Sequence, residues 1–166
     1  MYKVRVAKTN DSTQVCNVLR RSILEVCAPV YNNKSVIDEW LQNKTEDNIT
    51  QWIQSESTYS VVCTDENNTI VGFGLTTLTG KILLIYLVPE ELYKGNGKLM
   101  LEQMEKRLFK EGVDEIHTVS SIMAKAFYER NGFIQDGPPQ LVGEIEGDFP
   151  LVKKLSPNKS LNTGAR

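Results

Sequence analysis

A glycine turn between a strand and a helix is the first part of this sequence that could bind a ligand. Residues 82–101 read ILLIYLVPEELYKGNGKLML, and Pro89 ends the apolar run because proline cannot donate to a sheet ladder. Gly95, Asn96 and Gly97 then precede a helix with an apolar face. Without side chains, backbone N–H groups come close to a ligand, and the first N–H groups of a helix lack internal partners. The turn therefore predicts a phosphate or pyrophosphate site, although many helices simply begin after a glycine.

Two common nucleotide-binding motifs are missing from the sequence. It contains no G-x-x-x-x-G-K-S/T segment, and no G-x-G-x-x-G follows an N-terminal strand. The predicted anion site is therefore neither a Walker loop nor a dinucleotide fingerprint.

A second segment, about thirty residues further on, carries a tyrosine that could do chemistry. Residues 121–133 read SIMAKAFYERNGF, which predicts a short helix ended by Gly132. Together the two segments resemble the Gcn5-related N-acetyltransferase (GNAT) superfamily. Its V-x-P and Q/R-x-x-G-x-G/A patterns appear here as residues 87–89 and 92–97, and the resemblance covers about residues 2–155. The superfamily's A-x-x-F-Y-x-x-x-G-F pattern is matched by Ala124, Phe127, Tyr128, Gly132 and Phe133.

The resemblance implies that acetyl-CoA is the acetyl donor. Backbone groups freed where the strand splays from its neighbour near Val119 would pair with the pantetheine amides, and the pyrophosphate would lie on the glycine turn. Tyr128 aligns with the general acid that protonates the leaving thiolate, with simple packing as the alternative. Ser121 stands where many members carry an asparagine that bonds the pantetheine arm. The implied cofactor-binding residues are Leu87, Val88, Tyr93, Lys94, Gly95, Asn96, Gly97, Lys98 and Ser121.

The sequence departs from the family pattern at two places. Leu92 occupies the usual Gln/Arg position, which removes a polar side chain near the pyrophosphate but leaves the backbone. The strand 82–88 contains no carboxylate, whereas several members place a general base there. The base is then a relayed water, a residue elsewhere, or none if the amine arrives neutral. His117, the only histidine, has a suitable pKa class, but a lone histidine in a strand is more often structural.

The order of predicted elements indicates an α/β, single-domain GNAT-like fold. A mixed, mostly antiparallel sheet of about seven strands is flanked by helices, and a splayed parallel strand pair binds CoA. The chain of 166 residues suits one domain. We assign residues 1–155 to the acetyltransferase domain and predict that the polar residues 156–166 form a disordered tail.

Several local signals predict where the helices begin and end. The first helix is expected to start at Asn10 or Asp11 and to stop at Pro29, followed by a loop over residues 27–34 with Tyr31 at its centre. Ser35 is expected to cap the next helix, and Thr45 the one after. Trp40 and Trp52 are expected to pack in the core. The last hairpin is predicted from residues 133–142 and 144–155.

Composition excludes some classes of function. With 40% hydrophobic and 24% charged residues, the chain is ordinary for a soluble globular protein, and its net charge of −2 argues against nucleic-acid binding. Cys16, Cys27 and Cys63 have no metal-site spacing and fit reduced thiols in a cytoplasmic protein. Because the cysteines lack metal-site spacing, we expect no metal. Because no signal peptide or membrane-length apolar run is present, we expect no membrane partner.

Two functions from different classes are consistent with the resemblance. The first is acetyl transfer from acetyl-CoA to a primary amine by direct attack, with the oxyanion held by a backbone N–H near Val88. The second is a CoA-binding sensor or scaffold without turnover. The connection at residues 143–148 carries Glu144, Glu146 and Asp148, which favours a positively charged acceptor unless it is only a solvated turn. The oligomeric state is left open, with a homodimer as one option.

Overall fold

The sheet of this protein is mixed and mostly antiparallel, as the sequence predicts. The computed structural model describes residues 1–155, so the predicted tail lies outside the described residues. Seven of its eight strands follow the order β1-β2-β3-β4-β5-β8-β6, and the eighth, β7, pairs with β8 off this path. The strands are β1 Lys3–Val6, β2 Thr58–Thr64, β3 Ile70–Thr77, β4 Lys81–Leu87, β5 Glu115–Ser120, β6 Ile134–Gln135, β7 Gln140–Val142 and β8 Ile145–Lys154.

The predicted strand over residues 133–142 is broken into two short strands. Residues 137–139 read Gly-Pro-Pro, and proline cannot donate to a ladder, so β6 and β7 pair with β8 separately. This break gives eight strands where the sequence suggests about seven.

Helices pack against the sheet and bury its apolar side chains. Helix α1 lies on β3 and β4, and α5 lies on β2, β3 and β4. None of the helices within residues 1–155 is long and apolar enough to cross a membrane. The helices are α1 Ser12–Ser22, α2 Ala28–Tyr31, α3 Lys34–Gln42, α4 Glu46–Gln54, α5 Asn96–Lys110 and α6 Ile122–Arg130.

The first helix does not stop at Pro29, contrary to the prediction. A π-helical turn, Ile23–Cys27, joins α1 to α2, and the Ala28 N–H donates to the Ile23 carbonyl five residues back. Proline is excluded from a regular helix because it lacks an N–H and its ring meets the carbonyl four residues earlier. Here the wider turn precedes it and Pro29 lies in the first turn of α2, where no donor is required. Tyr31 is therefore a buried helical residue and not the centre of a loop.

The helix caps confirm one prediction and correct another. Thr45 caps α4, and its hydroxyl accepts from the Asn48 N–H at 3.2 Å. Helix α3, however, is capped by Asn33, whose side chain accepts from the Val36 N–H at 3.2 Å, so Ser35 lies inside the helix. Asn33 has the extended backbone that an N-cap requires. Trp40 and Trp52 pack against the core as predicted, both partly exposed.

Strands β4 and β5 are parallel but pair over only two positions. Lys81 lies opposite His117 and Ile82 opposite Thr118, and the register ends there. The β3–β4 register skips Leu83, which forms a bulge that bends β4. The Thr118 hydroxyl donates to the Ile82 carbonyl at 3.1 Å, which closes the paired end. Beyond this point the strands separate, as the resemblance implies, and a cleft opens toward their carboxyl ends.

Candidate functional site

The backbone of Leu87 faces the cleft between β4 and β5. The Val88 N–H donates to the Val71 carbonyl at 3.0 Å, and the Val88 carbonyl accepts from the Glu91 N–H at 3.0 Å. Alternate residues of an antiparallel strand bond to the same neighbour, so the N–H and C=O of Leu87 point away from β3. Leu87, and not Val88, has backbone groups free to pair with a ligand in the cleft.

A concave backbone turn at the start of α5 could bind an anion. Tyr93 and Gly95 have positive φ angles of 62° and 86°, the left-handed conformation that turns successive N–H groups to one side. Gly95 is the N-cap of α5 and has no side chain to cap the helix, so the first N–H groups of α5 stay available. A Cβ at Gly95 would meet no atom within 4 Å. This open, uncapped turn fits a pyrophosphate.

The next two residues of the turn have packing roles. A Cβ on Gly97 would lie 2.9 Å from Cε1 of Phe127, so the glycine lets the Phe127 ring of α6 rest on the start of α5. Asn96 is fully buried, and its Nδ2 donates to the Glu91 carbonyl at 3.4 Å. Within residues 1–155 its Oδ1 has no partner. Gly97 thus connects the anion turn to the helix that carries Tyr128, and Asn96 ties the turn to the preceding residues.

The polar side chains around the turn are largely at the surface. Lys94 pairs with Glu91 at 3.4 Å, and Lys98 lies 4.0 Å from Glu102. Both lysines are exposed, so each could also reach a bound phosphate. Leu92 packs against the core. At this position an apolar side chain therefore replaces the polar Gln or Arg that is usual in the family.

Tyr128 lies in an apolar environment at the closed end of the cleft. Its ring makes edge contacts with Phe127 and Phe133, at centroid distances of 5.2 and 5.1 Å. Burial raises the pKa of Tyr128 to about 12, and the neighbouring Thr118 side chain offsets part of that shift. The phenol is therefore protonated at neutral pH and can donate. The Ser121 hydroxyl accepts from the Ala124 N–H at 3.3 Å and caps α6, with its own hydrogen still free to donate.

His117 lies away from the open part of the cleft. It is opposite Lys81, where β4 and β5 are still paired, and half of its side chain is exposed. Its Nε2 is 2.9 Å from Glu115, and its Nδ1 is 3.8 Å from Asp136. The structure does not bring His117 together with Tyr128.

The other wall of the cleft depends on Tyr31, to which the sequence pattern assigns no role. Its hydroxyl donates to the Gly147 carbonyl at 2.8 Å and accepts from the Ile122 N–H at 3.1 Å. The ring makes an edge contact with Trp40 at 4.7 Å. One hydroxyl thus joins α2, β8 and the start of α6. In the sequence Tyr31 stood out only as the centre of a predicted loop after Pro29, and a local feature of that kind does not indicate such a distant contact.

The acidic connection is divided by the structure. Glu144 and Glu146 are exposed, whereas Asp148 is half-buried beside Gly147. Burial raises the pKa of the Asp148 carboxyl, and within residues 1–155 no cation or hydrogen-bond donor offsets the shift. Burial, and to a smaller extent the Asp148 charge, raises the pKa of Tyr31 and of Tyr86, so both rings are within the electrostatic reach of Asp148. Over the same residues, no group of three or more His, Cys, Asp or Glu side chains could hold a metal ion.

Comparisons with known proteins agree with this geometry. A family model described as an acetyltransferase (GNAT) domain matches residues 27–147. The spermidine N(1)-acetyltransferase of Thermoplasma acidophilum is 28% identical over 164 residues, which cover 92% of this chain and 96% of that protein. The crystal structure of PaiA N-acetyltransferase from the same organism, in complex with coenzyme A, superposes with a TM-score of 0.79 at 23% identity, covering 93% of this chain and 99% of that one. The ribosomal-protein-S18-alanine N-acetyltransferase of Escherichia coli gives a TM-score of 0.69 at 17% identity, covering 94% and 95%.

Proposed function

The chain belongs to the GNAT acetyltransferase family and is an N-acetyltransferase, and from this premise we propose that it transfers the acetyl group of acetyl-CoA to a primary amine of a cationic, polyamine-like acceptor. The observation that carries this proposal is the splayed β4–β5 pair, with the uncapped turn at one side and protonated Tyr128 at its base.

The donor site is made by the chain segment from β4 to α5. The Leu87 carbonyl would accept from a pantetheine amide, and the N–H groups from Tyr93 to Lys98 would hold the pyrophosphate. Lys94 and Lys98 add positive charge at the surface. When bound, acetyl-CoA supplies an activated acyl group as a thioester.

Tyr128 supplies the proton for the leaving sulfur. A phenol with a raised pKa remains protonated, and its O–H can donate to a thiolate formed in the cleft. The Leu87 N–H, being free of β3, is the backbone donor that stabilises the oxyanion. This assigns to Leu87 the role expected for a group near Val88.

The acceptor is proposed from the far wall of the cleft. A half-buried carboxylate, Asp148, gives that wall a negative charge, and cationic amines are attracted to such a site. The similarity to a spermidine N(1)-acetyltransferase supports the same substrate class. A sensor that binds CoA without turnover is the second candidate, because no carboxylate lies on β4.

The test is an acceptor screen that measures thiol release from acetyl-CoA. The panel contains polyamines, amino acids, aminoglycosides and peptide N-termini. We expect the highest kcat/KM for a polyamine. Tight CoA binding without turnover on any amine would favour the sensor, and no CoA binding at all would contradict both functions.

A further inference from the structure

We propose that Asp148 is the catalytic carboxylate that binds the ammonium group of the acceptor and accepts its proton, an inference that rests on the proposed function. Strand β4 carries no acidic residue, so the base must come from another part of the chain or from water. The structure brings a carboxylate to the cleft from β8, more than sixty residues away from β4 along the sequence.

The strand register places Asp148 at the mouth of the cleft. Ser120, the last residue of β5, lies opposite Phe149, so Asp148 is at the end of β5 where β4 has already separated. The adjacent Gly147 carbonyl is held by the Tyr31 hydroxyl, which also holds the Ile122 N–H at the start of α6. A Cβ at Gly147 would be 2.7 Å from Cε1 of Tyr31, so the close packing of Tyr31 positions this part of β8.

Asp148 is an acidic group whose charge reaches Tyr31 and Tyr86. On α6, Lys125 lies over the neighbouring Phe149 ring and pairs with Glu129 at 3.2 Å. Burial raises the pKa of Tyr31 on α2 and of Tyr86 on β4, so both phenols are neutral near pH 7. Burial also raises the pKa of Cys27, which adjoins both rings, to about 11. Lys44 is close enough to Cys27 to affect its pKa, and the Lys44 ammonium group donates to the Trp40 carbonyl and the Asn43 side chain. The β7 residue opposite Asp148 is the uncharged Gln140.

An ionised carboxylate without a partner is costly to bury, and a cationic ligand would remove that cost. Within residues 1–155 no side chain pairs with Asp148, in contrast to Asp11, which is held by Arg5 at 2.8 and 3.0 Å. The Asp11 pair lowers the carboxyl pKa, whereas burial raises that of Asp148. The surroundings of Asp148 therefore favour binding of a cationic ligand, whereas those of Asp11 form a structural ion pair.

The proton transfers balance with Asp148 as base and Tyr128 as acid. Asp148 takes one proton from the ammonium group, and the freed nitrogen lone pair forms a C–N bond with the acetyl carbonyl carbon. The C–S bond breaks with its electron pair on sulfur, and Tyr128 protonates that sulfur. The acylated nitrogen then gives its surplus proton to the Tyr128 oxygen, and Asp148 releases its own proton to solvent. The net products are the amide, the free thiol and one proton.

The experiment compares Asp148→Asn with Glu146→Gln, the same loss of charge at an exposed site on the same hairpin. Using the best polyamine from the screen, we expect Asp148→Asn to lower kcat/KM by about a hundredfold, the usual scale for a lost general base. CoA affinity, measured by calorimetry, should not change. The Asn variant should also regain activity as pH rises, because the neutral fraction of the amine grows. Glu146→Gln should change kcat/KM only a few-fold at low salt.

Thermal unfolding separates catalysis from a structural role. A carboxyl whose pKa is raised by folding destabilises the protein above its unfolded-state pKa, and this penalty disappears as pH falls below that value. Asp148→Asn should therefore have an equal or higher Tm than the parent at pH 7, with the difference lost near pH 3. Asp148→Glu should retain more activity than Asp148→Asn.

Three results would overturn the inference. Full kcat/KM in Asp148→Asn would remove Asp148 from the mechanism while leaving the proposed acetyl transfer in place. A lower Tm at pH 7, or failure of the Asn variant to fold, would show that the carboxylate is structural. Absence of turnover by the parent enzyme on every amine, with CoA still bound, would reject the proposed function and the role of Asp148 with it.

Discussion

The two walls of the cleft differ in the groups that they present, backbone groups on one side and side chains on the other. The wall proposed to bind the donor is one continuous segment, from Leu87 to Lys98, and it offers mainly backbone N–H and C=O groups. The wall proposed to bind the acceptor is assembled from α2, β4, β8 and the start of α6, and it offers the side chains of Tyr31, Tyr86 and Asp148. We therefore expect donor binding to depend on local conformation, and acceptor binding to depend on the packing of distant elements.

This difference predicts two kinds of failure. A change of backbone conformation in the donor wall should affect CoA affinity and leave the acceptor wall intact. A change of side chain in the acceptor wall should affect KM for the amine and kcat while CoA still binds. Tyr128 lies between the walls and should affect turnover without affecting either binding step.

The largest expected effect comes from Tyr128→Phe, which tests the residue shared by both walls. Loss of the phenol O–H should lower kcat by about a hundredfold or more, because the leaving thiolate loses its proton donor. CoA affinity should stay the same in calorimetry. Tyr59→Phe is the matched control, since Tyr59 is another buried tyrosine whose hydroxyl accepts from Gln103 at 3.2 Å. Full turnover in Tyr128→Phe would show that the ring merely packs.

Gly95→Val tests whether the donor wall is a backbone site. A side chain in the left-handed conformation costs about 1–2 kcal/mol, and the turn must shift to avoid it. CoA affinity should fall by about tenfold or more. Gly112, at the other end of α5, has a similar φ of 80° and equally open surroundings. Gly112→Val should therefore lower stability to a similar extent with unchanged CoA affinity.

The choice between Gly95 and Gly97 decides what such an experiment measures. At Gly97 the added side chain would meet Phe127, so Gly97→Val would disturb the packing of α6 as well as the turn. If Gly95→Val and Gly112→Val both retained full CoA affinity, the pyrophosphate could not lie on this turn.

Tyr31→Phe tests the assembly of the acceptor wall. Two backbone groups, the buried Gly147 carbonyl and the part-buried Ile122 N–H, would lose their partner, at a cost of about 1–3 kcal/mol. We expect a lower Tm and a several-fold higher KM for the amine, with CoA affinity retained. Equal losses of amine and CoA affinity would mean that the two walls are not independent.

The smallest effect is expected from the paired change Glu144→Gln and Glu146→Gln. Both side chains are exposed, so their attraction for a cation is weak and screened by salt. The KM for a polyamine should rise a few-fold at low ionic strength and recover at high salt. Adding Asp148→Asn should produce the much larger loss. A KM that does not change at low salt would exclude the two glutamates as acceptor guides.

Much of the fold, including the conformation of the segment proposed to bind the donor, could be predicted from the sequence. The strand that ends at Pro89, the glycine turn and the helix after it are local signals, and the structure has each of them. The Thr45 cap was also predictable, because a cap and its helix are neighbours in sequence. The end of the first helix could not be predicted, because the π-helical turn before Pro29 lets the chain remain helical and places the proline in the first turn of α2.

The amino-acid sequence alone determined the elements and the conformations that depend on a few adjacent residues. Gly95 can adopt a positive φ wherever the helix lies, and an apolar strand followed by an amphipathic helix needs only its own pattern. Tertiary structure decided which groups became available to a ligand. Pairing of β4 with β3 engaged the N–H of Val88 and left that of Leu87 pointing away from β3, and the bulge at Leu83 lies where the β4–β5 pairing ends.

Tertiary structure also determined which side chains line the proposed acceptor wall. The charge state and the accessibility of a carboxylate depend on the groups packed around it, and those groups come from distant parts of the chain. Three acidic residues that look equivalent in sequence became two exposed glutamates and one half-buried aspartate, because Tyr31 holds the backbone at Gly147.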